Sequence, residues 1–246
     1  MLKVQNNICR NAINIDGIWK FRTVDDGFTP AAPLENFRLM PVPASMNDIV
    51  TDIALREYVG KVAYETTFSC PAEKGREYRV RIGATSHKCK VYLNGDCLGG
   101  SDSSFLPVDL LLPALKEVNR LTVVIDNRLD YHTLPSGRLV KGNDLFVYDQ
   151  LGKYAVVGDE KIFPKEKQII NHDFYNYTGI HRSVYIYSLP KNHIDDIIIK
   201  TVVQGDYRCV TAEIKGDKTA AVYTVTDEND KIVAESATGE FVIENP

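Results

Sequence analysis

The sequence predicts an all-β protein. Three observations carry that reading: apolar and polar residues alternate with period two in run after run, an Asn-Gly dipeptide joins two such runs, and stretches with helical periodicity are scarce. Alternation of this kind marks a strand with one face buried, because successive side chains leave opposite sides of the backbone. Val62, Tyr64, Thr66 and Phe68 share one face of the first clear run. In Tyr78-Arg-Val-Arg-Ile82, Tyr78, Val80 and Ile82 point inward while Arg79 and Arg81 point away. Cys89, Val91 and Leu93 form the next inward set, and Asn94-Gly95 follows at once, as a type I′ hairpin turn requires. Leu121-Thr-Val-Val-Ile125 alternates again, as do Val184 and Ile186. The best helical candidate, Pro113 to Asn119, is about two turns at most.

Two places break the rhythm. Residues 128–170 hold few alternating runs and many loop formers, among them Pro135, Gly137, Gly142, Gly152, Gly158 and Pro164. So long an irregular stretch is uncommon inside a compact domain. The second break, Ser188-Leu-Pro-Lys-Asn-His193, precedes five short runs: Ile194–Val203, Tyr207–Ile214, Ala220–Thr226, Lys231–Ala234 and Glu240–Ile243. Their spacing suits an immunoglobulin-like sandwich, which has about seven strands. The sequence therefore predicts a first domain over residues 1–189 and a second, incomplete at its C-terminal end, over 190–246.

Composition narrows the function classes. A net charge of −4 gives no basic face for nucleic acid. The one lysine-dense stretch, Lys161 to Lys167, is interrupted by Glu166 and reads as a solvated loop. Every apolar run is too short to cross a bilayer. The first ten residues lack the apolar core of a secretory signal. Cys9, Cys70, Cys89, Cys97 and Cys209 are scattered, odd in number and without a CxxC pair. The expectation is a cytoplasmic protein with reduced thiols, no metal site and no cofactor. Asp195-Asp196 are adjacent in a strand, so they point to opposite faces and cannot act together on one substrate. Trp19, Tyr58 and Tyr64 sit at strand positions, where large aromatics pack the core more often than they stack on sugars.

Six segments, met in order along the chain, resemble the β-glucuronidases among the family 2 glycoside hydrolases. Asp16-Gly-Ile-Trp-Lys-Phe21 is similar to the family's opening strand. Val42-Pro-Ala-Ser-Met-Asn47 is similar to its VPASWN motif, with Met46 in place of tryptophan. Tyr58-Val-Gly-Lys-Val-Ala-Tyr-Glu65 and Val91-Tyr-Leu-Asn-Gly95 resemble two further strands, and Ile194-Asp-Asp-Ile197 the start of the family's second domain. The most specific match is Asp173-Phe-Tyr-Asn-Tyr-Thr-Gly-Ile-His-Arg182, beside the family's DFFNYAGIHR.

The resemblance implies a jelly-roll, sugar-binding-like domain, then an immunoglobulin-like domain, then a (β/α)8 barrel. It puts both catalytic glutamates in that barrel, so no catalytic residue is expected within these 246 residues. It assigns substrate contact to Asp173, whose carboxylate would accept a hydrogen bond from a sugar hydroxyl. His172, Tyr175, Asn176, Tyr177, His181 and Arg182 would stabilise their own loop, with Arg182 reaching a carboxylate or a carbonyl. The partner implied is a β-glucuronide bound through the complete enzyme, itself a homo-oligomer. Two other readings stand: a free-standing carbohydrate-binding module, and the same region of a β-galactosidase or β-mannosidase relative.

Overall fold

The computed structural model describes residues 4–141, 146–148, 154–156, 166–173, 175–216 and 221–244. The chain divides into two compact units, Met1–Ser188 and Leu189–Pro246. The first opens with β1 (Asn11–Asn14), β2 (Gly17–Val24), β3 (Arg38–Val42) and β4 (Ala44–Ser45). Two single-turn helices follow, α1 (Met46–Ile49) and α2 (Ile53–Arg56). Next come β5 (Lys61–Phe68), β6 (Arg76–Ser86), β7 (Lys88–Leu93), β8 (Asp96–Ser101), β9 (Val108–Leu111) and β10 (Asn119–Asp126). Then follow β11 (Gly137–Lys141), β12 (Phe146–Tyr148), β13 (Tyr154–Val156), β14 (Glu166–Ile170) and β15 (Gly179–Pro190).

Two sheets face each other in this unit. One has the order β3-β2-β5-β10-β7-β8; the other runs β1-β15-β6-β9, with β4 pairing β15. The core between them takes Trp19 and Phe21 from β2, Val62 and Tyr64 from β5, Val91 from β7 and Leu121, Val123 and Ile125 from β10. Opposite stand Val80 and Ile82 from β6 and Ile180, Val184 and Ile186 from β15. Trp19 and Tyr64 are thus core residues, with Tyr58 packed against them. Met46, where the resembling motif has tryptophan, is fully buried in the same cluster. The Asn94-Gly95 turn between β7 and β8 has both residues at positive φ, 54° and 104°, as the type I′ turn demands.

Alternation understates burial on β5, where Val62, Ala63, Tyr64 and Glu65 are all buried. The reason is a second, smaller cluster on the far face of the six-stranded sheet: Val24, Leu34, Ala63, Tyr92 and Val124, with Phe28 against it. The chain between β2 and β3 covers that face and is pinned there by a buried charge. Glu65, 2% exposed, accepts hydrogen bonds from Leu34 N at 2.8 Å, Thr122 Oγ1 at 3.0 Å and Arg120 Nη1 at 3.1 Å. Arg120 in turn donates from Nη2 to Pro30 O at 2.8 Å and from Nη1 to Ala32 O.

One expectation needs correction here, and another is left without a test. Pro113 to Asn119 is not a helix: Asn119 accepts from Lys116 N at 2.9 Å and donates to Lys116 O at 2.7 Å, closing a loop that feeds β10. A buried asparagine that satisfies backbone groups competes with helix formation. The helices that do form last one turn each, too short for periodicity to reveal; α2 is capped by Asp52, which accepts from Ala54 N at 2.9 Å. The lysine-dense stretch 161–167 lies, save for its last two residues in β14, outside the described residues.

The second unit contains β16 (Ile194–Gln204), β17 (Tyr207–Gly216), β18 (Tyr223–Thr226), β19 (Ile232–Ser236) and β20 (Glu240–Glu244). They form a three-stranded antiparallel sheet, β16-β17-β20, and the hairpin β18-β19. Register slips between Ile194 and Asp196, so Asp195 sits at an irregularity and the opposite-face argument does not apply there. Each carboxylate is nonetheless engaged separately. Asp195 Oδ1 lies 2.8 Å from His193 Nε2, and Asp196 Oδ1 accepts from Ile197 N at 2.9 Å.

Two stability predictions follow from the first unit. Replacing Glu65 with leucine leaves Arg120, only 13% exposed, without its carboxylate and should cost about 3 kcal/mol, read as a lower urea midpoint. A Cβ on Gly100 would stand 1.9 Å from Cys89 O, whereas one on Gly27 meets nothing within 4 Å. Gly100→Ala should therefore destabilise by about 1–3 kcal/mol and Gly27→Ala by far less, in the same measurement.

Candidate functional site

The decamer 173–182 supplies the loop before β15 and that strand's first residues. Where it enters the sheet, only glycine serves. Gly179 has φ 146°, and a Cβ there would lie 2.5 Å from Ala44 O, across the pairing of β15 with β4.

Just upstream, Thr178 is completely buried and every polar group it carries is paired. Its N–H donates to Asn47 Oδ1 at 2.7 Å, its carbonyl accepts from Met46 N at 2.8 Å, and its hydroxyl accepts from Asn127 Nδ2 at 3.0 Å. Asn47 also donates to Arg56 O at 2.6 Å. Asn127, 1% exposed, donates to Tyr58 O at 2.7 Å and accepts from Gly60 N at 2.8 Å. Its own carbonyl takes Gln168 Nε2 at 2.9 Å and Asn176 Nδ2 at 3.4 Å. The segments after β4, before β5 and after β10 converge on one four-residue stretch.

Asn176 turns into this network and meets His87 Nε2 through its Oδ1. His87 is 0% exposed, and its Nδ1 lies 2.6 Å from Ser104 Oγ. Next to it, His181 Nε2 is 2.9 Å from Ser86 Oγ. Phe105 lies between the imidazoles, edge-on to His87 at 6.5 Å and stacked on His181 at 5.9 Å. Burial lowers the pKa of both histidines, so both rings are neutral near pH 7. Serine beside histidine is the pairing of a nucleophile and its base, but Ser86, Ser104 and His87 are all buried, out of reach of a substrate. Their role is structural.

Tyr175 and Tyr177 flank Asn176 and turn outward, both exposed, with ring centroids 4.8 Å apart. Tyr175 Oη lies 3.5 Å from Glu57 Oε1; its phenol pKa is raised, by burial first and then by the Glu57 charge. Arg182 donates to Phe105 O at 3.2 Å. His172 and Asp173 are exposed. The loop thus offers solvent one carboxylate and two phenols, groups suited to hydroxyl recognition and ring contact. Among the described residues no group of three or more His, Cys, Asp or Glu is arranged to hold a metal ion. The five cysteines are unpaired. No helix among those residues is long and apolar enough to cross a membrane.

A cleft on the far face of the six-stranded sheet, lined by Phe28, Lys61, Lys88, Lys90, Tyr92 and Asp126, involves none of the decamer. Two of its lysines are already engaged, Lys61 with Asp26 and Lys88 with Asp130. Sequence reasoning picked out Asp173 and its neighbours in the chain. It missed His87, Ser104, Asn127 and Gln168, which hold the loop from distant segments. A buried asparagine looks like a surface one in a sequence, and here only Asn47, inside a recognised motif, gave a signal.

No family model matches the chain. Curated relatives do. The β-glucuronidase of Paenibacillus borealis is 34% identical over 252 residues, covering 97% of this chain and 39% of the relative. That of Felis catus is 30% identical over 269 residues, covering all of this chain and 39% of the relative. Among solved structures, a β-glucuronidase of an uncultured Clostridium sp. covers 100% of the chain at TM-score 0.77 and 31% identity, with 41% of its own length matched. That of Dictyoglomus thermophilum gives TM-score 0.74 and 33% identity, with 40% matched. The chain spans about two-fifths of the length of these relatives. In sequence and in fold together, it is similar to the amino-terminal region of β-glucuronidases.

Proposed function

We propose that this chain is the non-catalytic, amino-terminal region of a retaining β-glucuronidase acting on β-D-glucuronides. It supports the catalytic domain and lends one loop to the active site. The observation that carries this reading is the decamer. Its buried half is fixed by hydrogen bonds to Asn47, Asn127 and His87 on three other segments, and its first residue, Asp173, is an exposed carboxylate. That is the arrangement expected of a recognition group held out for a substrate that the rest of the site encloses.

Retaining hydrolysis needs two carboxylates about 5–5.5 Å apart, one as nucleophile and one as acid/base. In this reading both belong to a (β/α)8 barrel, a fold of about 250 residues, carried by the remaining three-fifths of the enzyme. Asp173 does no bond-making. Its oxygens accept a hydrogen bond from a sugar hydroxyl, worth about 1.5–3 kcal/mol for a charged acceptor, and so help to seat the glycone. The cytoplasm as compartment and a homo-oligomeric parent belong to the same proposal, the former supported by five unpaired thiols.

Purified residues 1–246 should release no phenol from an aryl β-glucuronide, while the complete protein turns it over. Turnover that co-purifies with the 246-residue chain, free of contaminant, would refute the assignment. In the complete protein, Asp173→Ala should lower kcat/KM at least about tenfold, the equivalent of 1.4 kcal/mol, with the melting temperature nearly unchanged because the side chain is exposed. Wild-type kinetics from that variant would remove Asp173 from the site.

A further inference from the structure

We propose that His87 is a positioning residue for Asp173, acting through the side chain of Asn176. The inference rests on the functional reading above for what Asp173 does; the contact itself is independent of it.

The hydrogen-bond roles at His87 follow from chemistry. Asn176 Oδ1 can only accept, so Nε2 of the ring must carry the proton. A neutral imidazole then has a bare Nδ1, which accepts from the Ser104 hydroxyl 2.6 Å away. The ring is confined by the Phe105 edge, and its own backbone N–H donates to Asp126 O at 3.3 Å. With both nitrogens engaged and no exposed surface, the imidazole is a buried donor to Asn176, with the Leu134 backbone as a further partner.

The consequence for Asp173 is a matter of tether length. On its N-terminal side the loop is held at Asn171, whose N–H donates to Ser136 O at 3.0 Å. On the other side Tyr175 makes a long, exposed contact of 3.5 Å to Glu57, and the first partly buried anchor among the described residues is Asn176, three residues on. Among the described residues, Asn176 without the His87 contact keeps a 3.4 Å bond to Asn127 O, and the next fully buried anchor is Thr178, five residues from Asp173. Each added residue extends the reach of the chain by roughly 3.3–3.6 Å. A recognition group must be held far more tightly than that.

The test is a set of mutant cycles in the complete protein with an aryl β-glucuronide. His87→Leu and Asn176→Ala should each lower kcat/KM roughly threefold to tenfold, as expected for losing one anchoring hydrogen bond, and their effects should not add. Both should show the same split between KM and kcat as Asp173→Ala. Neither should matter further once Asp173 is alanine. His87→Gln, which keeps an N–H donor, should recover part of the loss. In the 246-residue chain, hydrogen exchange should quicken at the amides of 175–177 in either variant. Asn176 is half-buried, so its variant carries the test if His87→Leu does not fold.

A penalty of the same size with or without Asp173, or native kinetics in a folded His87→Leu protein, would overturn the positioning role. If Asp173→Ala alone is silent, the functional reading fails instead; the exchange data then still judge whether His87 holds the loop.

Discussion

A polar group removed from water must find a partner, and the end of the sandwich from which β15 departs is built around that constraint. Thr178 is buried with its amide, carbonyl and hydroxyl all satisfied, each by a different residue. Those partners in turn fix their own loops: Asn47 ties down the helical segment through Arg56 O, and Asn127 bridges Tyr58, Gly60 and Gln168. An unmade bond here would cost the full desolvation of the group left behind, about 1–3 kcal/mol. The network is therefore close to all-or-none.

Glu65 meets the same constraint on the far face of the six-stranded sheet, with charge in place of amides. A lone buried carboxylate would be intolerable, so it collects a guanidinium, a hydroxyl and a backbone N–H, and Arg120 spends its remaining donors on the carbonyls of residues 30–32. The pair does more than neutralise itself. It fastens a strandless segment over Ala63, Tyr92 and Val124, which would otherwise leave an apolar strip facing solvent. One device organises the sheet's outer cover and the other the loop end, and both spend buried polarity on holding irregular chain against regular sheet.

How much of this the sequence disclosed follows from the range of each interaction. Period two is a local property, so β5, β6, β7 and β10 were legible, as was the turn at Asn94-Gly95. Burial of the second face was not, because Ala63 and Glu65 are covered by residues some thirty positions away. The one-turn helices and the loop closed by Asn119 fell below what periodicity can resolve, and the slip at Asp195 undid an argument from strict alternation. At the candidate site the resemblance indicated Asp173 by position in a motif, but its supports, His87, Ser104 and Asn127, lie between forty-six and eighty-six residues upstream. Nothing in the local sequence of a buried histidine says which loop it will hold.

The exposure of Asp173 bears on which kind of protein this region serves. In open water a carboxylate exchanges a solvent hydrogen bond for a ligand's at little net gain, and a binding module that works alone must offset this with a concave, largely apolar, preformed site. Among the described residues of the loop, Asn171, His172, Asp173, Tyr175 and Tyr177 all face solvent. The cleft on the far face of the six-stranded sheet lies elsewhere and has its lysines Lys61 and Lys88 already paired. An uncovered carboxylate gains strength only where another surface excludes water from it, since the same bond is stronger in a low dielectric. The physical chemistry of the loop thus favours a part that completes a site over one that is a site by itself.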